Sequence, residues 1–121
     1  MMVAFNFSPE FAGPVERREK RQTIRQTRRA NVGDRIQLYT GQRTADCRKL
    51  SDVDPVCTMV MYCAIRPDTV TLGDASLLPR DKNEFARLDG FKDYADMHRW
   101  FSERYGTEYF VGYLHQWEWP A

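Results

Sequence analysis

The sequence predicts an α+β fold, a small and strongly bent sheet or barrel with helices at one end. Three observations carry that expectation. Strand-like segments run from Val3 to Leu72 and return from Glu108 to Trp119, with only one short helix among them. Two helix-period segments follow one another between Pro79 and Tyr105. The run Val56 to Ile65 is apolar almost throughout and suits a central strand buried on both faces.

The elements follow in order. Val3, Phe5 and Phe7 alternate with Ala4 and Asn6, which predicts a first strand over Val3 to Phe7. Ser8 is placed to cap a helix that starts at Pro9 and carries Phe11 and Val15, and Gly13-Pro14 keeps that helix short. Thr23 to Arg25 is expected to be extended, because Thr and Ile favour strands, and the polar, basic stretch Gln26 to Val32 reads as a loop. Val32-Gly33-Asp34 turns into a strand over Arg35 to Thr40, with Ile36 and Leu38 inward and Arg35, Gln37 and Tyr39 on the other face. After the central run, Pro67-Asp68 is a break and Thr69 to Leu72 a short strand.

Pro79 to Leu88 is predicted as a helix with Phe85 and Leu88 at i, i+3, closed by Asp89-Gly90-Phe91. A second helix, Tyr94 to Tyr105, carries the stripe Tyr94, Met97, Trp100, Phe101 and Tyr105, which is read as core, and it stops at Gly106. Glu108 to Trp119 closes the chain as a strand, and His115 is expected to be a hydrogen-bonded strand histidine rather than a catalyst.

With 121 residues, residues 1–121 are expected to form a single domain, since two separate cores would each be marginal. A hydrophobic content of 42% is ample for that one core. No apolar run is long enough to span a bilayer, and the N-terminus lacks a secretory pattern, so a cytoplasmic protein without membrane contact is expected. Cys47, Cys57 and Cys63 are odd in number and read as reduced thiols. No Cys-x-x-Cys pair occurs, His98 and His115 lie far from the cysteines, and no metal or other cofactor is expected.

Charge is unevenly spread. Residues 16–49 carry eleven basic and four acidic side chains, +7, while the remainder carries seven and thirteen, −6. An anionic or nucleotide-like partner for the first part is one reading, and mutual neutralisation of the two parts across the fold is the other.

The densest group of reactive side chains is Lys20-Arg21-Gln22-Thr23-Ile24-Arg25, followed by Val32-Gly33-Asp34-Arg35-Ile36. Phe85 to Phe91, Trp100-Phe101, Tyr105-Gly106 and Val111-Gly112-Tyr113-Leu114 succeed them. In order and spacing these segments resemble the ASCH domain family, a branch of the PUA-like β-barrels. The family's pattern is G-x-K-x-x-E-x-R, with Thr in the Glu position of its small amidohydrolase members. Lys20, Thr23 and Arg25 match it, and Arg18 stands where the pattern has glycine.

The resemblance implies two classes of function. Small ASCH proteins include amidohydrolases that remove the acetyl group of N(4)-acetylcytidine and related N-acylated cytosines through a Lys, a Thr and an acid. The wider group contains RNA-binding modules, and some ASCH proteins act as ribonucleases, so the implied partners are a nucleoside-like small molecule or RNA. On the hydrolase reading Thr23 is the nucleophile and Lys20 the base, its pKa lowered by the neighbouring charges of Arg21 and Arg25. Asp89 falls at the family's catalytic Glu position and is the expected acid, with Glu84 the competitor on the other side of the helix. Arg25 is expected to hold an oxyanion or a nucleoside oxygen, or else to fix the strand through an ion pair. Arg21 and Tyr39 are the remaining candidates for substrate contact, Tyr39 by stacking on a pyrimidine.

Overall fold

A computed structural model describes residues 1–121, apart from the side chain of Pro79. Eight strands and three helices follow the order β1 (Met2–Phe7), α1 (Pro9–Glu16), β2 (Gln22–Arg25), β3 (Arg35–Thr40), β4 (Arg48–Lys49), β5 (Val56–Ile65), β6 (Val70–Leu72), β7 (Ala75–Ser76), α2 (Pro79–Leu88), α3 (Tyr94–Tyr105) and β8 (Phe110–Glu118). The fold is α+β, with all eight strands in one open mixed sheet. No described helix is long and apolar enough to cross a membrane.

Strand β5 organises the sheet. It pairs antiparallel with β8 along its whole length, from Val56↔Glu118 to Ile65↔Phe110, with a bulge between Cys57 and Met59. On its other side the start of β5 meets β3 at Arg35↔Val56, and its end meets β6 at Ile65↔Val70. One edge thus branches into β3 and β1, which run parallel, and the other leads through β6 to β7. Beyond β8 lies β2, in the register Thr23↔His115 and Arg25↔Tyr113. Each of β1 and β2 has a strand on one side only.

The buried side chains form one cluster, including Phe5, Phe7, Ile36, Leu38, Cys63, Ile65, Met97, Leu114 and Trp117. Cys57 and Cys63 are free and buried, whereas Cys47 is free and exposed. Burial pushes the Cys63 thiol well above its usual range, so it remains protonated packing material.

Several expectations need correction. Strand β5 is central, but Thr58 and Tyr62 are exposed and Met59 to Met61 only half-buried, so it is not covered on both faces along its length. The Tyr62 ring packs edge-on against Tyr113 of β8, which keeps that outer surface aromatic but accessible. Helix α1 is short as expected, starting at Pro9 and ending at Glu16, two residues after Pro14. Ser8 occupies its N-cap position, yet the hydroxyl donates to Glu10 Oε1 and caps no backbone N–H. In α2 it is Ala86, with Phe85, that is buried, while Leu88 is 42% exposed. In β8 the buried positions switch from even to odd between Leu114 and His115, so no single face of that strand is buried along its whole length.

Glycine at position 112 is required by a close approach of two strands. A Cβ built there would strike the Arg25 carbonyl of β2, so the ladder that carries Thr23 and Arg25 depends on the bare backbone.

Candidate functional site

A cavity of about 280 Å³ opens between β1 and β2, lined also by α1, the end of α2 and α3. Its floor is formed by the buried side chains of Lys20 and Asp89, and its walls by those of Thr23, Phe11, Phe91 and Phe101. Its rim is more exposed and consists of Asn6, Ser8, Arg25, Trp100, Arg104 and Tyr105.

Lys20 reaches the floor because the chain reverses after α1. The amides of Glu19 and Lys20 both donate to the Pro14 carbonyl, and Arg18 takes a left-handed φ of 62° at the turn. The Arg21 amide then donates to the Leu88 carbonyl, and the Trp117 amide to the Arg21 carbonyl, which ties this segment between α2 and β8. From there Lys20 Nζ donates to the Asp89 carbonyl oxygen and lies 3.5 Å from Asp89 Oδ2. Gly90 leaves room for this contact. With φ at +94°, a Cβ there would sit 3.1 Å from Lys20 Cδ and from a Phe11 ring carbon.

Asp89 is also held from below. Gln22 Nε2 donates to Asp89 Oδ1 at 3.3 Å, and Gln116 Nε2 in turn donates to Gln22 Oε1 at 2.9 Å. The carboxylate is therefore positioned by two residues from opposite ends of the chain, one of them fully buried.

Burial dominates the electrostatics of this pair. It pushes Lys20 down to about 8, with Asp89 opposing and Arg25 adding to the decrease. It pushes Asp89 up to about 6, with Lys20 and Gln22 opposing. Both shifts favour the uncharged forms, so the neutral amine and carboxylic acid lie much closer to the ion pair than in water. The direction foreseen for Lys20 holds, but its cause differs: desolvation leads, and Arg21 is exposed, its Nε turned back to the Arg18 carbonyl at 2.8 Å.

Thr23 lies on the same wall as Arg25, two residues along β2. Arg25 Nε donates to Thr23 Oγ1 at 3.1 Å, and one terminal nitrogen donates to the Asn6 carbonyl of β1 at 3.1 Å. The guanidinium thus spans from β2 to β1, over the faces of Phe5 and Phe7. No carboxylate lies within ion-pair distance of it among the described residues, so the expected alternative of a strand-fixing ion pair is replaced by this bridge. Lys20 Nζ and Thr23 Oγ1 face one cavity without a hydrogen bond between them.

Of the other candidates, Glu84 is exposed and paired with Arg87, outside the cavity. Tyr39 lines a separate, more open groove with Arg29, Gln42 and Arg43, because its face of β3 turns away from the Lys20 side. Arg21 reaches neither space. Lys20, Thr23, Arg25 and Asp89 converge, and Arg21, Tyr39 and Glu84 do not.

Four contributors escaped the sequence reading. Trp100 and Tyr105 were assigned to the core, yet they edge the cavity, and Arg104 lies beside them. The signal was present: Arg104 sits four residues after Trp100, on the same helical stripe. Gln22 lies just ahead of the expected strand Thr23 to Arg25, and nothing local marks it as a partner of Asp89. His115 is fully buried and half of the expected hydrogen bonding is present: its Nε2 accepts from the Arg29 amide at 3.0 Å, its Nδ1 has no partner among the described residues, and burial lowers its pKa to about 4. Its ring is therefore neutral near neutral pH.

Comparison with protein-family models, curated proteins and solved structures finds no match for this chain.

Proposed function

We propose that the protein is an amidohydrolase of the ASCH type, removing an acyl group from N(4)-acetylcytidine or a related N-acylated cytosine. The observation that carries this reading is the buried Lys20 and Asp89 pair on the floor of a cavity whose wall presents the Thr23 hydroxyl. The resemblance gains support at its weakest position. Arg18 adopts a left-handed φ, the conformation glycine favours, at the place where the family pattern has glycine. On this reading the sheet is a PUA-like barrel whose β1 and β2 edges are joined by the Arg25 side chain in place of a strand ladder.

The reaction begins from the neutral pair, in which Lys20 is an amine and Asp89 carries the proton. Thr23 Oγ attacks the acyl carbon and forms an ester, while its proton passes to Lys20. The C–N bond breaks, and the cytosine N4 leaves with the proton of Asp89. Lys20 is then an ammonium and Asp89 a carboxylate. A water attacks the ester and gives its proton to Asp89, Thr23 Oγ departs with the proton of Lys20, and the carboxylic acid is released. Arg25, already donating to Thr23 Oγ1, stabilises negative charge on that oxygen through both steps. The aromatic wall of Phe11, Phe91 and Trp100 excludes water and offers ring faces to the base.

The test is incubation of purified protein with N(4)-acetylcytidine and chromatographic detection of cytidine. Turnover is expected, falling by at least roughly 100-fold in Thr23→Ala and in Lys20→Ala. No turnover, together with salt-sensitive RNA binding that survives Thr23→Ala, would identify a binding module instead. RNA cleavage retained in Thr23→Ala would identify a ribonuclease.

A further inference from the structure

The cavity's rim carries more positive charge than hydrolysis of a neutral nucleoside uses. Arg25 and Arg104 both line it, and neither has a carboxylate within 4.0 Å among the described residues. The one carboxylate in the lining, Asp89, is on the floor and engaged by Lys20. Glu10, the acid nearest the rim by hydrogen bonding, accepts from Trp100 Nε1 and from the Ser8 hydroxyl, on the α1 side.

Each arginine has a local explanation. Arg104 lies in the last turn of α3, where a cation suits the helix end, and its guanidinium sits 5.2 Å from the centre of the Trp100 ring. Arg25 bridges β2 to β1. Neither explanation accounts for two guanidiniums gathered on one rim with no anion between them. The mutual cost is visible at Arg25, whose pKa is lowered by burial first, then by Arg29, with Arg104 a smaller cause in the same direction. Arg25 uses two of its five N–H donors, on Thr23 Oγ1 and on Asn6, so the others are free for a ligand.

We infer that the ligand of this cavity carries a phosphate ester, with the base on the floor and the phosphate held by Arg104 and Arg25 at the rim. Planar guanidiniums are suited to that group, since they offer paired donors to two phosphate oxygens and remain charged. The inference deepens the amidohydrolase reading by making its substrate an acylated cytidine nucleotide, and it rests on that reading for the identity of the base. Two sources share this chemistry, a free nucleoside monophosphate and a phosphate of an RNA strand.

Calorimetric titration at fixed low salt with cytidine, cytidine 5′-monophosphate and a short oligocytidylate tests the inference without turnover, because none of these ligands is acylated. The monophosphate is expected to bind at least roughly tenfold more tightly than cytidine, and the preference to collapse in Arg104→Gln, whose exposed position spares the fold. A preference shown only by the oligocytidylate, and lost in Arg104→Gln, supports the same phosphate site with RNA as its source. Equal affinity for all three ligands, no binding of any, or a preference that survives Arg104→Gln overturns it. Absence of N(4)-acetylcytidine hydrolysis alone bears on the proposed reaction and leaves this result standing.

Discussion

Two ion pairs bracket the environments this molecule offers. On the cavity floor Lys20 Nζ stands 3.5 Å from Asp89 Oδ2, with the side chains 3% and 4% exposed. On the outer surface Arg48 and Glu16 meet at 2.6 Å, with 51% and 40% of their side chains in solvent. The closer pair is the less consequential one. Water screens it and solvates either partner left alone, whereas on the floor water does not replace a missing partner. Burial, more than distance, decides where charge has leverage here.

The largest test of that contrast is removal of one interior partner. Lys20→Met strands a buried carboxylate and is expected to cost roughly 3–5 kcal/mol in urea unfolding, most of it recovered in Lys20→Met with Asp89→Leu, where no charge remains. A double variant as unstable as the single one would mean that lost packing, and not the unpaired charge, sets the cost.

The pH dependence sharpens the contrast next. His115 is held neutral, with its pKa lowered to about 4, so its contribution to stability is lost as pH falls from about 6.5 toward that value. Asp89 has a raised pKa, so the folded protein takes up its proton first and stability is lost as pH rises from 3.8 to about 6. Thermal unfolding between pH 4 and 6.5 should therefore show opposite trends: relative to wild type, His115→Gln fares worse as pH rises and Asp89→Asn fares better. Parallel trends in the two variants would contradict the assignment of either group.

The smallest effect belongs to the surface pair. Arg48 lowers the pKa of Glu16, so any contribution from Glu16 is present above pH 4.5 and disappears in acid. Glu16→Gln should leave the Tm unchanged at physiological salt, and a shift comparable to that of Lys20→Met would remove the distinction between the two regions.

The same division explains what could be read from sequence. Helices α2 and α3 begin and end where the sequence marks them, because their signals are local. Asp93 caps α3 by accepting from the Asp96 amide, and Gly106 ends it with a φ of 66°. Thr23 to Arg25 was legible as a strand for the same reason. Local pattern does not say what a face meets. Tyr39 and Thr23 were both placed on strands, yet they line different spaces, because that depends on how β2 pairs with β8 and β1 with β3 across the chain. Gln22 meets Asp89 across 67 residues, and Arg104 reaches the rim only through the packing of α3. The short strands β4 and β7, two residues each, are made by pairing and carry no periodicity to detect.

Lys20 has a second employment that follows from its bond to the Asp89 carbonyl. That oxygen belongs to the C-cap of α2, where the aligned peptide dipoles leave partial negative charge, and the ammonium therefore stabilises a helix end as well as a carboxylate. Whenever the amine gives up its proton, the last turn of α2 loses that electrostatic support. The backbone that carries the acid is consequently least restrained in the protonation state that makes the base competent, so the two groups are linked mechanically as well as by charge.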